Sequence, residues 1–405
     1  MKRFPRWPWI LFLMLPFAPA VEVQAQAKKR DSLSLKQLER TDIIDFGARL
    51  LTPRHPEEQH QASANDRVQF SIIPVAPSSS AGGVSVSAIN ASFFVDKGSN
   101  LSTIYFYPYT NFSTSYGILL TPYIWANDNE WNATGDFRII HNAMRDYGLG
   151  GNTSVQDYTI LEHSQVRTYL AAHTRVLPNF YLGVGYNLDY FYGVEEDDPT
   201  PETPSEFRQH GYGTGSTTVS SGITFNILRD SRKNSLNPTN GYFTALVFRA
   251  SRKAMGSTTE WGSVFFDVRR YLSFSTTRHK ILAARAFYWG TYGEVPYLNL
   301  PATLEEPTSG RAGRGYATNR FRGAHWLYGE AEYRFDISSR GFFGATVFAN
   351  LQSYTNSAGT FDRILPAAGA GLRFKFNRKS DINLTLDFAY GKEGWNWYIN
   401  LGEYF

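Results

Sequence analysis

The sequence predicts an all-β fold: a transmembrane antiparallel β-barrel of about sixteen strands, with a long external loop folded inward and a short N-terminal helix or tether. Three observations carry that prediction. The 405 residues include 25 Tyr, 30 Phe and 9 Trp against 19% charged residues. That ring content suits aromatic girdles at two membrane interfaces around a polar lumen. From Val68 to the last residue, apolar and polar side chains alternate with a period of two. Finally, the long connections follow odd-numbered strands and the short ones mostly follow even-numbered strands.

Composition also excludes several classes. With no cysteine, the chain has no disulfide framework, Cys-ligated metal, thiol nucleophile or lipobox acylation site. A formal net charge of +4, evenly spread, gives no basic footprint for nucleic acid. No cofactor motif is present.

The N-terminus reads as an export signal. Lys2, Arg3 and Arg6 precede an apolar run from Ile10 to Phe17, and small-residue patterns follow at Ala18–Ala20 and Ala25–Ala27. A membrane anchor is the competing reading, but Pro5, Pro8, Pro16 and Pro19 interrupt it. Residues 1–27 are therefore assigned as a signal peptide, 28–67 as a tether or short helix and 68–405 as the barrel. Leu33, Leu38, Phe46 and Leu50 recur at roughly helical spacing within Ser32–Leu51; a plain tether fits equally well. An exported chain without a spanning helix is periplasmic, secreted or an outer-membrane barrel.

The predicted strands run Val68–Val75, Val84–Val95, Leu101–Phe112, Tyr116–Ala126, Trp131–His141, Tyr158–Val176, Phe180–Tyr192 and Thr214–Leu228. The second half continues Gly241–Arg252, Thr258–Phe274, Lys280–Tyr292, His325–Asp336, Gly341–Gln352, Pro366–Phe376, Asp381–Tyr390 and Trp395–Phe405. Alternation is clearest in Asp381–Tyr390. There Ile382, Leu384, Leu386 and Phe388 oppose Asp381, Asn383, Thr385 and Asp387. The long connections are Asn142–Asp157, Gly193–Gly213, Gly293–Ala324 and Ser353–Leu365, the pattern of external loops opposite short periplasmic turns. Glu195–His210 is acidic and proline-rich, a solvated external loop without EF-hand spacing.

Three C-terminal stretches are more specific. The chain ends WNWYINLGEYF, with Trp395, Trp397, Ile399, Leu401 and Phe405 on one face, similar to the assembly signal of bacterial outer-membrane barrels. Leu228–Phe243 contains Asp230, Arg232, Pro238 and Gly241 in a D-x-R…P-x-x-G arrangement. Pro238 and Gly241 shape a turn across which Asp230 and Arg232 are available to pair. GRGYATNRFRGAHWLYGEAEYRF places an R-G-Y tip before an E-Y-R-F strand.

Together these resemble the BamA/TamA family, the bacterial surface antigen or outer-membrane assembly-factor superfamily, in a form without POTRA repeats. The resemblance spans about Val68 to Phe405. It implies a sixteen-stranded barrel with a loop folded into the lumen, and a role in inserting or translocating outer-membrane proteins or lipids. The implied partners are outer-membrane lipid, the barrel-assembly machinery during biogenesis, and a client protein or lipid, with both termini periplasmic. The chain departs from the family in two places: Lys28–Asp66 is too short for POTRA repeats, and Asn350 stands where the family usually has an aspartate. Glu403 sits where many outer-membrane assembly signals carry an aromatic, though the GEYF ending resembles the GEAF ending of this family.

Within this frame, Phe70, Ile72 and Pro74 mark a candidate lateral seam. Pro74 and Pro77 each remove a backbone donor from the first strand, weakening its pairing with the last one; a strand that simply ends near Pro74 fits equally well. A passive pore or structural barrel is the alternative function. An enzyme is the third reading, against which none of the eight histidines falls beside a serine or carboxylate in a recognisable motif; His163 and His173 read as strand residues.

The sharpest site prediction is a lock between loop and lumen. Gly313 and Gly315 flank Arg314 in a long loop, and inward parity puts Glu330, Glu332 and Arg334 in the barrel. Arg314 is expected to pair with Glu332, or with Glu330 as second choice, near Asn350, with Tyr316 packed on the wall. Asn350 brings no charge, so the lock should be looser than one closed by aspartate.

Overall fold

Each strand of the molecule pairs antiparallel with the next in sequence, giving one sixteen-stranded sheet among the described residues. The computed structural model describes residues 68–77, 84–197, 205–275, 280–307, 311–378 and 380–405. The predicted signal peptide and tether lie outside them. In order the strands are β1 (Gln69–Pro77), β2 (Val84–Phe93), β3 (Ser102–Thr110), β4 (Tyr116–Ala126), β5 (Trp131–Asp146), β6 (Thr159–Leu177), β7 (Phe180–Asp197) and β8 (Thr217–Asp230). They continue as β9 (Gly241–Ser251), β10 (Trp261–Ser273), β11 (Lys280–Gly293), β12 (His325–Asp336), β13 (Phe343–Tyr354), β14 (Leu365–Asn377), β15 (Ile382–Gly391) and β16 (Gly394–Leu401).

The two faces of these strands invert the rule for soluble proteins. Along β12, Trp326, Tyr328, Glu330, Glu332 and Arg334 are buried, whereas Leu327 is exposed. The pattern repeats around the sheet: Ile139, Val184, Ile223 and Leu351 are each more than half exposed, while Asp189, Arg285 and Asp387 are buried. An apolar outside and a charged inside suit a wall bathed in lipid around a polar lumen, and strand-to-strand pairing satisfies its backbone without water.

Several boundaries differ from those read in the sequence. β5 runs to Asp146 rather than His141, and β7 to Asp197 rather than Tyr192. The first residues of the acidic stretch are therefore strand, and a short helix, α1 (Glu206–Gln209), follows, capped by Ser205. The reason is that side-chain alternation marks the lipid-facing length of a strand, whereas backbone pairing continues beyond it. Asp146 still pairs with Thr159, and Asp197 with Ile160. β1 likewise continues through Pro74, which lies opposite Ser87, to Pro77.

The last strand is the main correction. It ends at Leu401, not Phe405. Gly402 has φ +92°, and beyond it the chain turns inward, so that Glu403, Tyr404 and Phe405 are buried. Among the described residues no ladder joins β1 to β16. The main aromatic core sits inside the barrel, where Tyr316 and Phe321 of the β11–β12 loop pack against Phe287, Trp326, Tyr328 and Tyr354 of the wall.

Candidate functional site: a loop held in the lumen

The described parts of the β11–β12 loop (294–307 and 311–324) enter the barrel and present Arg314 to its wall. The turn at its tip needs glycine. Gly313 and Gly315 have φ +105° and +103°, and a Cβ on Gly315 would stand 2.4 Å from that of Ala367. Close approach of this backbone to β14 is therefore possible only without a side chain.

Arg314 is fully buried and meets three carboxylates. Its Nη1 donates to Asp387 Oδ2 at 2.7 Å and its Nη2 to Glu332 Oε2 at 2.6 Å, and Nη2 also donates to Glu330. The guanidinium lies 3.5 Å from the ring centroid of Phe348 and 4.1 Å from that of Tyr404. Asn350 Nδ2 donates to the Arg314 carbonyl at 2.9 Å. Gly315 N–H donates to the Tyr398 hydroxyl, which donates on to the Tyr316 carbonyl, and the Tyr316 hydroxyl reaches the Pro366 carbonyl at 2.7 Å. Arg314, Gly315, Tyr316, Glu330, Glu332 and Asn350 thus form one constellation.

Sequence reasoning placed Asp387 on the polar face of β15 but did not bring it to Arg314. It also missed the way the network reaches the chain end. Arg373 bridges Asp387 Oδ1 at 2.5 Å and Glu403 Oε2 at 2.8 Å. Arg334 pairs with Glu332 and donates through Nη2 to the Phe405 carbonyl at 2.9 Å. On the loop itself, Arg311 donates to the Tyr107 hydroxyl of β3 at 2.8 Å. The available signal was Glu403, an acidic residue where an outward aromatic was expected; a carboxylate in that place finds its partner in the lumen.

The remaining predicted residues lie apart from the lock. In the β8–β9 connection, Arg232 Nη2 donates to Asp230 Oδ2 at 2.9 Å, and the Tyr123 hydroxyl donates to the same oxygen. The Pro238 carbonyl accepts from Arg334 Nη1, and Gly241 has φ +106°. At the chain end, Trp397 pairs opposite Phe388 and Ile399 opposite Leu386. Leu401 is buried with Leu101, Leu236 and Ile382, while Phe405 packs with Tyr271 and Ala283 inside the barrel. The predicted common face of these four residues therefore does not hold at Phe405. At the first strand, Phe70 and Ile72 are exposed on an edge that, among the described residues, carries no ladder to β16.

Electrostatically, the lock places three guanidinium groups, from Arg314, Arg334 and Arg373, among the carboxylates of Glu330, Glu332, Asp387 and Glu403. Such a set holds a loop in one position; it offers no nucleophile and no open coordination site. Among the described residues, no cluster of His, Asp or Glu is arranged for a metal ion. A cavity remains between the loop and the wall, lined in part by Arg167, Arg249, Trp261, Asn299 and Arg322.

This geometry defines a barrel with an infolded, ion-paired loop. No family model and no curated protein matches the chain. Among solved structures, it is similar to BamA from Haemophilus ducreyi lacking POTRA domains 1–3, at 15% identity and a TM-score of 0.51, covering 83% of this chain and 70% of that one. CdiB from Acinetobacter baumannii aligns at 10% identity and a TM-score of 0.46, over 83% of this chain and 65% of that one. Among the described residues the fold is a sixteen-stranded antiparallel β-barrel similar to that of this BamA.

Proposed function

We propose that this chain is an integral outer-membrane barrel that assists the insertion or translocation of outer-membrane proteins or lipids through its lateral seam. The observation that carries this reading is the pairing of two features. A loop is ion-paired into the lumen through Arg314, and among the described residues the β1 and β16 edges have no ladder between them. A lumen occupied by a locked loop directs traffic sideways, and unpaired strand edges supply backbone donors and acceptors that a client strand can use. In this reading residues 1–27 are removed on export, 28–67 are a periplasmic tether and both termini face the periplasm. Lipid, the barrel-assembly machinery and a client are the partners.

Because the chain has no cysteine, the test is free of background. Ile72→Cys and Ile399→Cys, crosslinked across the seam in proteoliposomes, should abolish assisted folding of a client barrel, and reduction should restore it. Assistance that persists in the crosslinked protein would refute the proposal. The alternative of a passive pore expects steady, large conductance in planar bilayers, unaffected by the crosslink.

A further inference from the structure

A serine, a histidine and a carboxylate meet on the outer wall of the barrel, away from the lock. On β5 the even-numbered Asp136 and Arg138 are buried and Ile139 is exposed, so His141 faces outward. On β6, Leu161, His163, Gln165 and Arg167 are buried, so Glu162 and Ser164 face outward. The register makes His141 and Ser164 direct cross-strand partners, which a separation of 23 positions conceals in the sequence. Ser164 Oγ lies 3.0 Å from His141 Nδ1, and His141 Nε2 lies 3.3 Å from Glu162 Oε1. The ring of Tyr116, the partner of His141 on β4, packs against the imidazole with centroids 5.1 Å apart.

The position has a defined depth. Tyr116, His141, Ser164 and Tyr192 form one outward row across β4 to β7. On the row's turn side lie exposed Ile118, Ile139 and Leu170; on its loop side lie exposed Glu162 and Arg145. An aromatic and polar row between an apolar band and charged residues marks the interface of hydrocarbon and headgroup. Ester bonds of membrane lipids sit at that level.

We propose that Ser164, His141 and Glu162 form an acyl-transfer site for ester bonds of a lipid in the leaflet at the loop end of the barrel. Neutral His141 carries its proton on Nε2, directed at Glu162, which leaves Nδ1 to accept the Ser164 hydroxyl proton. Ser164 Oγ attacks the ester carbonyl carbon as His141 Nδ1 takes that proton. The tetrahedral intermediate collapses, the bond to the alcohol oxygen breaks, and His141 returns the proton to the leaving alcohol. Water then attacks the acyl-serine by the same route, releasing a fatty acid and restoring Ser164. Ester and water become acid and alcohol, with no further reactant. Glu162 touches neither substrate nor nucleophile; it is a positioning residue that fixes the tautomer and the ring.

Backbone amides at His141 and Ser164 themselves lie within ladders on both sides, so neither of these two amides forms an oxyanion hole. One such donor is worth about 10²–10³ in kcat, so turnover should be slow and covalent capture is the better readout. The full chain, refolded in phosphatidylethanolamine and phosphatidylglycerol vesicles, is treated with a long-chain alkyl fluorophosphonate, and the adduct is located by mass spectrometry. The expected adduct is on Ser164, and Ser164→Ala abolishes it. His141→Asn should slow labelling at least about 100-fold, the usual contribution of a general base. Glu162→Ala should slow it as well, with recovery in Glu162→Asp, a rescue that mere surface packing would not produce. The three substituted side chains are all on the outside, so folded migration on gels serves as the control for each variant. Absence of a Ser164 adduct in the folded barrel, or an unchanged labelling rate in His141→Asn, would overturn the proposal.

Discussion

Replacing Arg314 with alanine removes one of three guanidinium groups from a set that already holds four carboxylates. In the variant, Glu332 keeps Arg334 and Asp387 keeps Arg373. Glu330 keeps the Tyr328 hydroxyl but loses its cation from this set. A buried carboxylate left in that way costs about 3–5 kcal/mol. Loss of the contacts to Phe348 and Tyr404 adds about 0.5–2 kcal/mol, and lumen water offsets part of the total. The expected result is a fall in the urea midpoint of barrels refolded in liposomes and a loss of the heat-modifiable, fast-migrating band. The decisive control is the double variant. Glu330→Gln removes the stranded charge, so Arg314→Ala with Glu330→Gln should be more stable than Arg314→Ala alone, with a coupling of about 1–3 kcal/mol. Arg314→Lys should be intermediate, because an ammonium cannot serve three carboxylates and stack on two rings. An Arg314→Ala barrel with wild-type midpoint and migration would refute the lock, and additive effects in the double variant would refute the assigned partner.

Three further predictions use the same preparations. Gly315→Ala should destabilise the folded barrel by at least about 1–3 kcal/mol from backbone strain alone; adding Ala367→Gly should relieve the steric clash yet leave that strain, and full recovery would show the φ of +103° to be unimportant. Phe405→Ala should lower the midpoint of barrels refolded without assembly machinery by about 3–5 kcal/mol, since the ring is buried in the lumen. A residue acting only as an assembly signal would leave that midpoint unchanged. Asp96, in the β2–β3 connection, is held below the usual aspartate range by the Ser99 hydroxyl and by the N–H groups of Asn127, Asp128 and Ser99. A depressed folded pKa contributes stability that is present above the ordinary value of about 3.9 and is lost as pH falls through the folded one. The Asn127 amide resonance should therefore hold steady above about pH 5 and move only at lower pH; movement centred near neutrality would contradict this.

What the sequence determined by itself is what local geometry dictates. Side chains alternate along any strand, so a count of about sixteen strands and the shared face of Glu330, Glu332 and Arg334 were readable from period two together with the loop lengths. The glycines around Arg314 showed that the loop tip could turn tightly, because φ above zero is a property of single residues. Non-local contacts were another matter. Asp387 is 73 positions from Arg314, and only the folding of the sheet around the loop brings β15 to it. The inward turn of the chain end depended on Arg373 and Arg334 waiting in the lumen for Glu403 and the Phe405 carbonyl, which outweighs continued pairing of the last strand. The extra length of β5 and β7 was hidden because backbone hydrogen bonds continue where side-chain alternation has stopped. The meeting of His141 with Ser164 is a matter of register, and a shift of one residue would have sent one of them to the opposite face. Periodicity specifies which way a side chain points; only the folded barrel decides what it meets there.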